Sequence, residues 1–327
     1  MPDLSSRKKL AETLAKTRDC LVLTHVNPDG DTIGSALEIW NSFRLYGRTC
    51  KVFSFGADFP QQYDFLSGFS EVINFYTDEQ VFSHIEDETT IVLVDCASYD
   101  RAGIIKPPQD VKTLVIDHHL MSPDDSFISV VEPGISSAAE LTYELLKSAN
   151  LPIDESVASC ALVGIMTDTG LFKYPNTKPE TMHTVIELMQ RGAVISDVAS
   201  KVYERMSFAN RYLTGVALQR IKLELNGKLV ISVINSMDIE KMEARKSDLD
   251  FIIDEIKKLG EVEVCILMKE YTPGTFRLSI RGRGKVNLEQ IARRFGGGGH
   301  HDAAGFDIDG DYESAYNRIV KIFSGEF

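Results

Sequence analysis

Four short apolar runs in the first half of the chain, Cys20–His25, Lys51–Phe55, Ile91–Asp95 and Thr113–Asp117, alternate with stretches of helical periodicity at Thr32–Tyr46, Ser137–Ala149, Ser156–Met166 and Pro179–Arg191. Apolar strands separated by helices of this length are the mark of βαβ units, which close on a parallel sheet. The spacing predicts an α/β domain over residues 1–192, doubly wound around a mainly parallel sheet. A helical stretch without motifs over 193–216 reads as a linker. After it the period changes. Ile221–Leu225 and Lys228–Ile234 flank Asn226-Gly227, a hairpin signal, and Glu263–Lys269 and Thr275–Arg281 flank a Pro273-Gly274 turn. Helices are expected at Leu249–Leu259 and Tyr312–Phe323, which makes residues 217–327 a smaller α+β domain. A length of 327 residues exceeds what one core usually holds, in keeping with two domains.

The net charge of −13 argues against a protein that coats long nucleic acids, which needs a broad basic surface. No apolar run approaches the roughly 18 residues of a membrane span, and MPDLSSRKKL lacks the apolar stretch of a secretory signal. A cytoplasmic location is the expectation. The five cysteines, Cys20, Cys50, Cys96, Cys160 and Cys265, are scattered and form no CxxC pair, so neither a disulfide framework nor a thiolate zinc site is indicated.

The chemistry sits where the apolar runs stop. His25-Val26-Asn27-Pro28-Asp29-Gly30-Asp31 places an imidazole and two carboxylates just past the first strand. A turn followed by a helix N-cap at Asp31 explains the same composition without any ligand. Asp117-His118-His119 is harder to explain that way, because charged groups directly after an apolar strand are expensive to desolvate unless they are paired or bound to metal. Asp95 after IVLV and Asp168 after CALVGIM repeat the theme. In open α/β sheets the carboxyl ends of the strands carry the ligand, so these acids should converge there. His25, Asp29, Asp31, Asp95, His118 and Asp168 make a mixed nitrogen and oxygen set, enough for two divalent ions of the manganese, iron, cobalt or zinc type. Two such ions are the usual device for in-line attack on phosphorus.

In the second half, Arg281, Arg283 and Lys285 precede Gly296–Gly299 and His300, with Arg293 and Arg294 between. A glycine run lets backbone N–H groups approach an anion closely, and the arginines suit bidentate contacts. A flexible loop with solvated charges is the bland alternative.

Together these residues resemble the DHH phosphoesterases that carry a C-terminal DHHA1 domain, the nanoRNase/pAp phosphatase group. The resemblance rests on HVNPDGDTIGS, VDCAS, DHH, TDTG and NLEQIARRFGGGGHHDAAG in that order. It implies one ion, usually manganese, on His25, Asp29 and Asp95, and a second on Asp31, Asp95, His118 and Asp168. It implies that Asp117 supports the site, that His119 faces the substrate phosphate, and that Arg281, Gly297, Gly298, Gly299 and His300 hold the substrate's far end across an interdomain cleft. The implied activity is hydrolysis of linear dinucleotides and very short oligoribonucleotides by in-line attack of hydroxide generated with two ions, with no long nucleic acid and no membrane as partner. A pAp 3′-phosphatase, a cyclic dinucleotide phosphodiesterase and a non-catalytic nucleotide-binding regulator are the alternatives, and a homodimer is the expected assembly. One departure stands out: Arg281 is followed by Gly282 where the group often has serine.

Overall fold

The computed structural model describes residues 4–56, 59–106, 108, 110–249 and 252–327; of His300 only the backbone is described. The chain divides into two compact units, Met1–Arg205 and Met206–Phe327.

The first unit is built on six parallel strands, β1 (Asp19–Leu23), β2 (Thr49–Phe55), β3 (Ile73–Phe75), β4 (Thr89–Val94), β5 (Lys112–Asp117) and β6 (Ile128–Val131), in the order β3-β2-β1-β4-β5-β6. The helices are α1 (Leu4–Lys16), α2 (Gly30–Leu45), α3 (Asp78–Phe82), α4 (Ala138–Ser148), α5 (Glu155–Asp168), α6 (Pro179–Gln190) and α7 (Ile195–Ala199). Alternate strand residues serve two cores. Cys20, Val22, Val92, Val94, Leu114 and Ile116 face the one that contains α2, α4 and α5, while Leu21, Leu23, Ile91, Leu93 and Val115 face the other. Burial on both faces is why these strands read as continuous apolar runs. The expected α/β architecture is present. Four elements of this unit went unread: β3 and β6, which are short edge strands, the short helix α3, and α1, whose Arg7 pairs with Glu132 and Glu144.

Three glycines decide how closely α2 and α5 cross. A Cβ on Gly34 would lie 2.6 Å from the Cys160 carbonyl oxygen, one on Gly30 2.5 Å from Thr167, and one on Gly164 2.9 Å from Asp31 Oδ1. The crossing brings the start of α2, with Asp31, against the end of α5, with Asp168. Gly34→Ala is expected to cost about 1–3 kcal/mol, because the obstructing atom is backbone and cannot swing aside. Denaturant unfolding measures it, and an unchanged midpoint would show that the crossing has room to spare.

The second unit carries a mixed sheet, β7 (Lys222–Glu224), β8 (Leu229–Ile234), β9 (Val264–Thr272), β10 (Thr275–Gly282), β11 (Gly298–His300) and β12 (Ala303–Asp309), ordered β11-β12-β10-β9-β8-β7. All pairs are antiparallel except β8 with β9. Its helices are α8 (Phe208–Gln219), α9 (Ser236–Lys241), α10 (Ile252–Lys257), α11 (Leu288–Arg293) and α12 (Tyr312–Phe323). α11 and α12 cover one face; α8 and α10 cover the other. Both expected turns join antiparallel strands, and Gly274 takes the positive φ of 83° that its turn requires. The stretch 193–216 is divided: residues to Arg205 lie in the first unit, and α8 buries Leu213 and Ala217 in the second.

Candidate metal and phosphate site

β1, β4 and β5 are neighbours in the sheet and end at the same edge. β1 and β4 flank the point where strand order reverses, which is where open α/β sheets bind ligands. His25 follows β1, Asp95 follows β4, and Asp117 ends β5 with His118 and His119 behind it. Asp95 has φ 57°, a left-handed conformation that turns its side chain back over the strand ends. Its carboxylate is 2% exposed. Oδ2 accepts a hydrogen bond from Thr32 Oγ1 at 2.6 Å and lies 3.3 Å from His25 Nε2. Oδ1 has no hydrogen-bond partner and lies 3.5 Å from both His118 Nε2 and His119 Nδ1.

Helix α2 brings two more acids. Asp29 is its N-cap, accepting from the backbone N–H of Asp31 and Thr32 at 3.1 Å, so the cap falls two residues before the position that composition alone suggests. Its carboxylate stays 3.9 Å from His25 Nε2. Asp31 lies inside the first turn and is buried, and its two oxygens accept from Ala138 N at 2.7 Å and Ala139 N at 2.8 Å, the first residues of α4. Asp168 ends α5, 3.8 Å from His118 Nε2, which is also 3.6 Å from Asp31 Oδ2. Asn176 Nδ2 donates to Asp168 Oδ2 at 3.2 Å. Asp117 Oδ1 accepts from His118 N, from His119 N and, at 2.7 Å, from His119 Nδ1. That bond fixes the orientation of the His119 ring.

Four carboxylates this close cannot all be ionised without compensation. Burial first, then the charges of Asp95, Asp168 and Asp29, hold Asp31 well above the usual carboxylate range. Burial likewise raises Asp168 to about 7, assisted by Asp95 and Asp29 and opposed by His118. Burial would lower His25, but its bond to Asp95 and the charge of Asp29 outweigh that and lift it to about 9. Asp95 goes the other way: burial opposes its charge, and His25, His118 and His119 together hold it ionised. A site of shared protons, mixed imidazole and carboxylate donors and an orphaned Asp95 oxygen fits divalent cations. The donors fall into three groups, His25–Asp29–Asp95, Asp31–His118–Asp168 and Asp95–His118–His119, each with its ligand atoms within 4.8 Å of one another.

In the second unit the strand register puts Arg281, Ala303 and His300 on one row across β10, β12 and β11. Arg281 Nε lies 3.4 Å from Asp254. The other cations are engaged: Arg283 binds the carbonyls of Lys257 and Leu259, Lys285 pairs with Glu263, Arg293 with Glu289 and Arg294 with Glu326. The glycine run is neither loose nor uniform. Gly296 takes φ 74° after α11, and Gly297 and Gly299 are packed too tightly on β12 for a Cβ, whereas Gly298 has open space around it.

The profile described as DHH family, N-terminal domain, matches residues 19–165, and the DHHA1 domain profile matches residues 226–327. The chain belongs to the DHH–DHHA1 family. It is 29% identical over 301 residues to the bifunctional oligoribonuclease and PAP phosphatase NrnA of Thermus thermophilus, covering 92% of this chain and 87% of that one. It is 25% identical to the protein of the same description from Bacillus subtilis, covering 92% and 93%. A crystal structure of an exopolyphosphatase-related protein from Bacteroides fragilis shares the fold, with a TM-score of 0.88, 23% identity and coverage of 99% of this chain and 98% of that one. For this DHH–DHHA1 chain the motif reading missed the groups that hold the candidate ligands in place: Thr32, Asn176 and the N–H groups of Ala138 and Ala139. Only the last left a signal, the Ser137-x-x-Glu140 pattern that opens α4.

Proposed function

We propose that the protein is a metal-dependent phosphodiesterase that hydrolyses linear dinucleotides and very short oligoribonucleotides to mononucleotides. The observation that carries this reading is the convergence of His25, Asp29, Asp31, Asp95, His118 and Asp168 at the sheet's reversal point, in a chain of the DHH–DHHA1 family. His25, Asp29 and Asp95 hold one divalent ion; Asp31, Asp95, His118 and Asp168 hold the other, with Asp95 common to both. Manganese suits such a mixed donor set. When bound, the ions supply water acidified to neutral pH and compensate charge on the phosphate oxygens. His119, held by Asp117 through Nδ1, presents Nε2 to the phosphate and stabilises charge added in the transition state. Thr32 and Asn176 keep Asp95 and Asp168 in position. Arg281 and the backbone of Gly297–His300 bind the substrate away from the scissile bond.

The names of the relatives favour a second activity at the same site, removal of the 3′-phosphate of pAp. We also infer a cytoplasmic location, which suits five unpaired cysteines; no helix among the described residues is long and apolar enough to cross a membrane. A homodimer has support in the exposed stripe of Met182, Ile186 and Met189 on α6.

A panel of 5′-phosphorylated dinucleotides, longer oligomers, pAp and cyclic dinucleotides, assayed with manganese, tests the reading; turnover of none of them rejects it and revives a binding-only regulator. Within the same assay, Arg281→Ala is expected to raise KM about tenfold or more, the loss of a charge-assisted contact, with bound manganese unchanged. Loss of manganese in that variant would contradict the division of labour between the two units.

A further inference from the structure

We propose that Cys20 and Cys50 are a peroxide-sensitive thiol pair, which hydrogen peroxide or an organic hydroperoxide converts reversibly into a disulfide between β1 and β2. The pair follows from strand register. Cys20 in β1 is the direct partner of Cys50 in the parallel strand β2, and neighbouring strands lie about 4.8 Å apart. That spacing falls inside the roughly 4.4–6.8 Å between Cα atoms that a disulfide spans. Both side chains point to the same face: Cys20 and Val22 from β1, and Cys50 and Val52 from β2, all pack in the core that holds α2. The two side chains are hydrogen-bonded to one another. Among the described residues no other cysteine has such a neighbour in register. Cys265 stands between Val230 and Arg281, and Cys96 and Cys160 lie outside the strands.

The two sulfurs differ in exposure, which sets the order of reaction. Cys50 is half-buried and Cys20 fully buried. Beyond Cys50 the sheet is open: β3 pairs with β2 only from Phe53 onward, so among the described residues no strand covers the outer side of Cys50. That open edge also lets β2 adjust as the sulfurs close to bonding distance. Burial first, then the bond to Cys50, hold the Cys20 thiol well above its ordinary pKa, with the charge of Arg48 opposing. Cys20 therefore stays protonated and covered while Cys50 meets the oxidant. In the first step the Cys50 sulfur takes one oxygen from the peroxide, which leaves as water or an alcohol, and becomes a sulfenic acid. In the second the Cys20 sulfur attacks the Cys50 sulfur, the S–O bond breaks, and the hydroxyl departs as water with the Cys20 proton while the S–S bond forms. Two thiols are oxidised and one peroxide is reduced; a dithiol reductant reverses the change by exchange. Cys20 lies near the start of β1 and His25 follows its end, so the bond forms away from the candidate metal ligands.

The test treats the folded, fully reduced protein with hydrogen peroxide, blocks the remaining thiols with N-ethylmaleimide and maps the unreduced peptides by mass spectrometry. The expected result is a single link, the Cys20 and Cys50 peptides joined within one chain and separated again by dithiothreitol, with Cys96, Cys160 and Cys265 recovered as thiols. In Cys50→Ser the Cys20 thiol should survive the same treatment. In Cys20→Ser nothing resolves the oxidised sulfur, so labelling of Cys50 by dimedone, which captures sulfenic acids, should rise about fivefold or more over wild type. Circular dichroism and the unfolding midpoint accompany each sample; should Cys20→Ser fail to fold, the wild-type map and Cys50→Ser decide. The proposal is overturned if both cysteines return as thiols, if the link forms only between chains or only beyond the unfolding midpoint, if Cys20 is oxidised in Cys50→Ser, or if a folded Cys20→Ser takes up no more dimedone than wild type.

Discussion

Asp95→Asn is expected to lower turnover by about three orders of magnitude or more while leaving the protein folded. Removing one preorganised electrostatic partner in an active site already costs on the order of 10²–10³ in kcat, and Asp95 is shared by two of the three donor groups found among the described residues. Asparagine has nearly the same shape and is among the residues that tolerate the left-handed backbone at φ 57°. It can still accept from Thr32 Oγ1. What it lacks is the second anionic oxygen, the one that has no hydrogen-bond donor and faces His118 and His119. Turnover and bound manganese are measured on the same sample with circular dichroism as the folding control. Near-normal turnover would remove Asp95 from the centre of the mechanism.

The second large effect is that of removing the ions. At a hundredfold excess over its Kd a bound ion stabilises by about 2.7 kcal/mol, roughly 5–10 °C in Tm for a unit of about 200 residues. The difference in Tm between manganese-loaded and chelated protein should widen as pH rises from 6 to 9. The sign follows from two groups. His25, raised to about 9 without ions, contributes stability that is complete below its ordinary value near 6.5 and is lost as pH rises through 9. Asp168, raised to about 7, favours the ion-free fold while protonated, and that advantage disappears as pH passes from about 4 to 7. Ions displace those protons, so their affinity grows with pH while the empty site weakens. A Tm difference that stays flat or narrows over this range would show that the clustered protons are not what the ions replace.

How much of this was legible beforehand varied with the physical origin of each feature. The parallel sheet was readable because β1, β4 and β5 are buried on both faces and show as unbroken apolar runs. The edge strand β3 was not, since Ile73 and Asn74 are exposed and only Phe75 is buried. The candidate ligands stood out because an acid or imidazole directly after such a run is costly to desolvate without a partner. Their supports were silent: Thr32 and Asn176 are ordinary residues whose role depends on which helix end meets which strand end. The cations around the glycine run show the opposite error. Read as a patch, they suggested free charge, yet Arg283 ends on the carbonyls of Lys257 and Leu259 and Lys285 on Glu263, partners that lie more than twenty residues away in the chain. The glycines were read for anion binding; what the reading did not supply is that Gly297 and Gly299 are also demanded by the close packing of β11 on β12.

The strand order of the first unit has a consequence for how the protein comes into being. β1 lies between β2 and β4, and β4 between β1 and β5, so the residues that meet around Asp95 come from segments distributed from His25 to Asp168. Bringing them together requires closure of long stretches of chain, a slow step that only formation of the sheet makes favourable. On the metal reading proposed above, the ion-binding centre is expected to be completed late in folding. Ions captured there act chiefly on the rate at which the finished molecule comes apart, and hardly on the rate at which it assembles. On that reading the cation would act as a lock on the native state, not as a template for reaching it.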